Sequence, residues 1–323
     1  MNILFCSAGR RVELLKDFRK SMDNGDRIIA ADLSNLAPAL YVADAYYLVP
    51  RIDDHAYLDT IFDICRKEKI NAVTTLIDPE IELLAKSRTR FEEIGVEVLA
   101  PYAETAELCF DKFKMYQYLT AHGIPTPDTW GDYTSAMAAI ESGSLAFPVF
   151  VKPRTGSGSV GARKVQNAET LKALCEADPS LIIQRLMTGD LDADVYIDTI
   201  SHKAVSAFSK RKLETKIGGA SKTISFKDEK LFDFIRRITD LLKFNGPVDM
   251  DFFYQNGTYY LSEVNPRFGG AYLHAYGAGV DFIKLIKNNL SGIENAPVFG
   301  NYEDDVVMMM YDSVVITKIT QAE

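Results

Sequence analysis

The chain is short of the features that mark several broad classes of protein. It has 4 cysteines in 323 residues, Cys6, Cys65, Cys109 and Cys175, with no C-x-x-C pair. Scattered cysteines exclude a disulfide framework and a thiolate zinc site, and read as reduced thiols. No apolar run reaches the ~18 residues of a membrane-spanning helix. Charges arrive by Arg10, too early for a secretory leader. A cytoplasmic location and no membrane partner are therefore expected. Basic residues are outnumbered, 36 Lys and Arg against 45 Asp and Glu, for a net charge of -9. Nucleic-acid binding draws on an excess of Lys and Arg, so no nucleic-acid partner is expected. Histidine is scarce as well, and His55, His122, His202 and His274 stand alone, which reads as structural or exposed rather than catalytic. His274, close behind a tight turn, is the one exception to watch.

What remains is an ordinary globular composition, 47% apolar and 25% charged. The length implies two or three domains. Over residues 1–100, short apolar runs at Asn2–Ser7, Arg27–Asp32, Tyr46–Val49, Ala72–Ile77 and Val96–Ala100 alternate with amphipathic stretches around Val12–Ser21, Ala56–Lys67 and Glu80–Arg90. Strand–helix alternation implies right-handed crossovers and a parallel sheet. A helix over Asp111–His122 is stopped by Gly123, Pro125 and Pro127. After Pro148 the pattern turns to strands with one long amphipathic helix at about Asp228–Lys243, an α+β arrangement with antiparallel sheet. The stretch 210–225, KRKLETKIGGASKTIS, reads as a cationic loop, and Met308–Met310 as a buried terminal strand.

Two motifs carry chemistry. In PVFVKPRTGSGSVG (148–161), Gly156, Gly158 and Gly161 fit G-x-G-x-x-G. A dinucleotide fingerprint needs a helix to start within that motif. Here the strand-like ARKVQ follows, so the loop joins two strands as a lid whose small residues suit close approach to phosphate oxygens. A ligand-free surface hairpin is the competing reading. The first strand–helix turn, Ser7–Arg11, lacks the three glycines.

The second motif is VDMDFFYQNGTYYLSEVNPRFGG (248–270). Asp249, Asp251, Glu263 and Asn265 interrupt two otherwise apolar strands, and hard oxygen ligands on a rigid sheet suit magnesium. Two carboxylates ~4.5 Å apart repel by roughly 3–4 kcal/mol at an effective dielectric of about 20, so such a pair calls for a cation. Register offers a test. A two-residue turn at Asn256-Gly257 places Asp251 opposite Ser262, whereas a three-residue connection places it opposite Glu263. A shared metal therefore predicts the odd-length loop, and the competing reading is a solvent-facing acidic hairpin.

Together with Asp111-Lys112 and IIQRLMTGDLDADVYID (182–198), these segments resemble the ATP-grasp superfamily, in particular the large subunit of carbamoyl phosphate synthetase. The resemblance covers almost the whole chain. It implies a Rossmann-like α/β pre-ATP-grasp domain (1–100), a small subdomain with linking helices and the glycine lid (101–185), and a large subdomain with the metal-binding hairpin (186–323). It further implies that Lys112 and Lys152 meet the α- and β-phosphates of ATP. Thr155, Gly156, Ser157, Gly158, Ser159 and Gly161 would close over them. Gln184, Arg185, Leu186 and Met187 would meet the adenine through their backbone, with Asp192 near the ribose. Asp251, Glu263 and Asn265 would hold one or two magnesium ions, and Arg267 would act with Lys152 in catalysis at the γ-phosphate or acyl phosphate. The superfamily often has Glu at the place of Gln184, and Gln or Glu at that of Asp251. Arg10 and Arg11, at the carboxyl end of the first strand, and Arg211 and Lys216, in the basic stretch, are candidate substrate contacts.

The implied reaction is an ATP- and magnesium-dependent ligation. A carboxylate becomes an acyl phosphate, and an amine or similar nucleophile displaces the phosphate. Small-molecule carboxylate and amine partners follow, and a homodimer is the base-rate assembly. The carbamoyl phosphate synthetase large subunit holds two such units and this chain one, so a free-standing ligase is favoured. A single-unit component requiring partner subunits, and a non-catalytic ATP-binding module, are the alternatives.

Overall fold

The computed structural model describes residues 1–156, 158, 160–216 and 219–318. The first five strands are β1 (Asn2–Cys6), β2 (Arg27–Asp32), β3 (Ala45–Leu48), β4 (Ala72–Thr75) and β5 (Glu97–Val98). They form a parallel sheet in the order β3-β2-β1-β4-β5. Its centre is buried on both faces, as a parallel sheet covered by crossovers requires. Helices α1 (Val12–Ser21) and α2 (Tyr57–Glu68) supply the cover, turning Leu14, Leu15 and Phe18, and Ile61, Phe62 and Cys65, inward. The third amphipathic stretch divides at Ser87 into α3 (Asp78–Lys86) and α4 (Arg88–Glu92). Pro79 in its first turn favours the earlier start.

The connection at Pro101 holds a helix not evident in the sequence, α5 (Ala103–Phe110). Asp111 follows and caps α6 (Lys112–Ala121), accepting from the backbone N–H of Phe113 at 3.1 Å and Lys114 at 3.0 Å. A small antiparallel sheet comes next, built from β6 (Thr129–Trp130), β7 (Val149–Pro153), β8 (Arg163–Val165) and β9 (Leu181–Arg185) in the order β6-β9-β7-β8. Helices α7 (Tyr133–Glu141) and α8 (Ala168–Ala177) close its core around Ala136, Val149, Val151, Leu171 and Ile183.

The largest sheet contains β10 (Asp190–Ile197), β11 (Ala204–Lys216), β12 (Gly219–Phe226), β13 (Gly246–Gln255), β14 (Thr258–Asn265), β15 (Val298–Phe299) and β16 (Val307–Met309). Its order is β14-β13-β10-β11-β12-β16, with β15 beside β11. Helix α9 (Glu229–Leu241) buries Leu231, Phe234, Ile235 and Ile238, and is followed near the end by α10 (Tyr272–Gly277) and α11 (Phe282–Leu290). Two expectations are corrected here. Within 210–225, residues 210–216 and 219–225 are paired antiparallel strands, not a loop, because alternate residues of β11 have a buried sheet face to join; 217 and 218 lie outside the described residues. Met309 and Met310 are exposed, since among the described residues β16 is the edge strand of its sheet.

One core joins the parallel sheet to the large sheet, and Phe18 meets Phe268 edge-on at 5.4 Å between ring centroids. That packing sets the carboxyl edge of β1 and the start of α3 against the turn after β14. No helix among the described residues is long and apolar enough to cross a membrane.

Candidate functional site

The large sheet carries a row of charged residues across four neighbouring strands. Lys210 of β11 pairs with Asp192 of β10, Asp192 with Asp251 of β13, and Asp251 with Glu263 of β14. In the adjacent row on the same face, Asp194 pairs with Asp249 and Asp249 with Asn265. Cross-strand neighbours stand roughly 5 Å apart, so unscreened carboxylates would repel strongly here.

The pairing of Asp251 with Glu263 arises differently from the sequence expectation. Asn256 and Gly257 form a two-residue turn with φ of 52° and 80°, pairing Tyr254 with Tyr259. The register then shifts between Asp251 and Phe252, leaving Ser262 as a bulge. One extra residue restores the shared face that the even turn would have denied.

Built-in cations answer most of the negative charge. The Lys210 ammonium is fully buried, contacts Asp194 and lies 3.2 Å from Asp192. Carboxylate oxygens of Asp192, Asp194 and Asp249 lie within 4.8 Å of one another, so this lysine is the cation they share. Lys212, two residues on, contacts Asp251. Burial works against the charge on Asp192, but Lys210 and Lys212 outweigh it and hold that carboxyl below its ordinary range. Burial dominates at Asp194, which is pushed up to about 6, and at Asp249, driven well up with help from Asp192 and Asp251. These raised carboxylates mark a cluster already saturated with negative charge.

Two arginines tie the cluster to the rest of the chain. Arg267 meets Asp78 at the start of α3, Nε to Oδ1 at 2.8 Å, and lies 3.8 Å from Asp249. Arg11 donates to the carbonyls of Phe268 and Gly269, each at 2.7 Å, which latches the parallel-sheet domain onto the turn. Gly269 is required by close approach, because a Cβ there would lie 2.8 Å from carboxylate oxygens of both Asp194 and Asp249.

Lys112 lies 3.5 Å from Glu263 and donates to the carbonyl of Gly156 at 2.5 Å. Lys152 is buried. Burial, reinforced by Lys112 and opposed by Glu263, lowers its pKa. Both lysines line an open cleft with Gln184, Met115, Tyr116, Leu261 and Glu263. A second cavity, walled by Asp78, Ile81, Glu82, Phe110, Gly156 and Asn265, shares Cys109, Glu263 and Val264 with the first. Glu263 thus stands where the two meet.

The glycine loop joins antiparallel β7 and β8, as its sequence context requires. Gly156, Gly158 and Gly161 have φ of 105°, 69° and 77°, values that favour glycine, and Thr155 is exposed beside them. Ser157 and Ser159 lie outside the described residues. Gln184 is buried and donates to Thr129 Oγ1 at 3.0 Å. The Arg185 side chain turns toward Asp128 and the Ser144 carbonyl, and half-buried Leu186 and Met187 lead from β9 toward β10.

Several candidates fall elsewhere. Asp192 belongs to the lysine–carboxylate row on β10, and of Gln184–Met187 only Gln184 and Arg185 lie in a strand, because β9 ends at Arg185. Arg211 points to the opposite face of β11 and stacks on Phe226 at 4.3 Å, because adjacent strand residues alternate sides. Lys216 is exposed at the far end of that hairpin, and Arg10 is exposed while Arg11 is bound to the turn. Sequence reasoning set Lys210 in a loop over the substrate and missed Lys212, Asp194 and Asp78. The first three carried a readable signal, since D-L-D-A-D and K-R-K both repeat every second residue.

Comparison with known proteins fits this geometry. A family model described as ATP-grasp domain matches residues 109–271, and one described as PylC-like, N-terminal domain, matches residues 3–99. The chain is 32% identical over 158 residues to the phosphoribosylamine–glycine ligase of Chlorobaculum tepidum, covering 47% of this chain and 35% of that protein. It is 25% identical over 245 residues to the carbamoyl phosphate synthase large chain of Thermoplasma acidophilum, covering 67% of this chain and 23% of that one. The chain therefore spans well under two thirds of the length of these curated relatives. In fold it is similar to the biotin carboxylase domain of Hydrogenobacter thermophilus 2-oxoglutarate carboxylase, solved with MgADP, ADP and bicarbonate. There the TM-score is 0.74 and the identity 16%, over 94% of this chain and 73% of that one. With the matched domain taking in the lid, both cavity lysines and the carboxylate row, the chain belongs to the ATP-grasp family.

Proposed function

We propose that the chain is an ATP- and magnesium-dependent ligase that phosphorylates a small carboxylate and passes the acyl group to an amine. The observation that carries this reading is the position of Glu263 between two cavities, one bearing Lys112 and Lys152 and the other free of lysine and arginine along its wall. The first suits a nucleotide: apolar side chains of Met115, Tyr116 and Leu261 for a base, two ammonium groups for phosphates. The second, lined by Asp78, Glu82 and Glu263 with Gly156 of the lid, suits a cationic amine substrate. Relatives named as ligases support the same reaction class.

The donor set fits magnesium. Glu263 and Asn265 offer hard oxygens on one strand face, with Asp251 opposite. Around the site Asp78, Asp192, Asp251 and Glu263 stand among Arg11, Lys112, Lys152, Lys210, Lys212 and Arg267, while burial pushes the carboxyls of Asp194 and Asp249 up. A bound triphosphate carries more negative charge than Lys112 and Lys152 answer, and a divalent ion on Glu263 and Asn265 would supply the further neutralisation. Lys112 and Lys152 orient the phosphates. Arg267, held by Asp78, stabilises charge developing on the transferred phosphoryl group. Positioning does the work, and no general base is needed at the attacking carboxylate. On this reading the chain divides into parts at 1–100, 101–185 and 186–323.

The test is ATP turnover with magnesium across a panel of amino acids and small carboxylates, measured as ADP and phosphate release. Stimulation by one acid with one amine, abolished by Glu263→Ala, is expected. ATP binding without turnover on any pair would point to a missing partner subunit, and no ATP binding would end the proposal.

A further inference from the structure

Asp251 and Glu263 face each other, but their surroundings differ. Asp251 is in contact with the Lys212 ammonium, whereas Glu263 has a lysine no nearer than Lys112 at 3.5 Å. Lys212 is not a stray surface side chain. Only 17% of its side chain is exposed, and it reaches across β10 from β11 to β13. The register of β11 against β12 shifts just after Lys212, and a bulge of this kind re-aims a side chain. One row further in, Lys210 fills the carboxylate triad in the same way. The protein therefore neutralises this half of its acidic row with tethered ammonium groups.

We propose that Lys212 takes the place of one divalent ion, holding Asp251 so that the nucleotide is bound with a single metal on Glu263 and Asn265. Lys212 holds Oδ1 of Asp251, and a dication taking the same carboxylate would stand close beside that ammonium and be repelled. Lys212 is thus a positioning residue that sets metal stoichiometry. The inference rests on the magnesium–nucleotide reading above, and its test separates the two.

The chain, saturated with a non-hydrolysable β,γ-imido ATP analogue, is titrated with Mn2+ and followed by electron paramagnetic resonance. One bound Mn2+ per nucleotide with the spectrum of an isolated ion is expected. Lys212→Met should raise the count to two and broaden the signal by coupling between ions ~4 Å apart. Lys212→Arg should keep it at one. Two ions in the wild type, or one ion in a Lys212→Met protein whose near-ultraviolet circular dichroism is native, overturns the proposal and leaves the nucleotide reading standing. Failure of the wild type to bind the analogue with Mn2+ overturns both.

Discussion

Replacing Lys210 by methionine should destabilise the protein severely, and in a manner that depends on pH. The ammonium is fully buried, touches Asp194 and lies 3.2 Å from Asp192. Its removal leaves Asp192, Asp194 and Asp249 with oxygens within 4.8 Å of one another. Two unit charges at that distance repel by about 3.5 kcal/mol at an effective dielectric of about 20. Three such pairs cannot all stay ionised, so the cluster takes up protons, and the net loss should be about 3–5 kcal/mol at pH 7. Asp194 already sits at about 6 with the lysine present, and without it the carboxyls rise further. An acid whose folded pKa exceeds its unfolded value, about 3.9 for aspartate, costs stability above that folded pKa. The cost shrinks as pH falls through that value toward the unfolded one. The deficit of Lys210→Met should therefore be largest at pH 7 to 8 and much smaller at pH 5, and Asp194→Asn should recover part of it at neutral pH. Urea unfolding followed by far-ultraviolet circular dichroism measures this, with equal m-values required for the comparison. A deficit under about 1 kcal/mol that does not change with pH would refute the claim that this lysine is the cation the three carboxylates share.

Three further outcomes follow from the site. Lys152→Met should weaken ATP binding about 10- to 100-fold in calorimetry without loss of fold, the worth of a charge-assisted hydrogen bond. Because burial lowers the pKa of Lys152, wild-type affinity should also fall at a lower pH than an ordinary lysine would give. His274 is buried against Phe208 and Thr223, and its pKa is lowered to about 4, first by burial and then by Lys210. The unfolded chain binds that proton more readily, so stability should drop by about 3 kcal/mol as pH falls from 6.5 to 4. His274→Gln should flatten that part of the pH–stability curve. Gly269→Ala would drive a methyl group into Asp194 and Asp249, and should cost about 1–3 kcal/mol in thermal unfolding while displacing the turn that carries Arg267.

Much of this protein could be read from short-range patterns. Apolar runs alternating with 3,4-spaced helices specify a parallel sheet, and the strand–glycine loop–strand context distinguishes a phosphate lid from a dinucleotide turn. Both depend only on residues a few positions apart, whose backbone preferences act locally. The carboxylate hairpin was legible in the same way, although the shared-metal reading asked for a three-residue connection where Asn256-Gly257 makes a two-residue turn. Its register was not, because the bulge at Ser262 answers to the twist of the whole sheet and to the row in which Glu263 must sit. The choice of Lys210 and Lys212 over Arg211 needed only the parity of a strand, but 210–225 reads as a loop until a sheet is there to receive it. Arg267 and Asp78 lie 189 residues apart, and Arg11 lies 258 from Gly269. No local propensity brings such groups together. Sequence determined which oxygen and nitrogen atoms were available, while the packing of the parallel-sheet domain on the large sheet decided which charges became neighbours, since a buried charge is stable only where the completed fold delivers its partner.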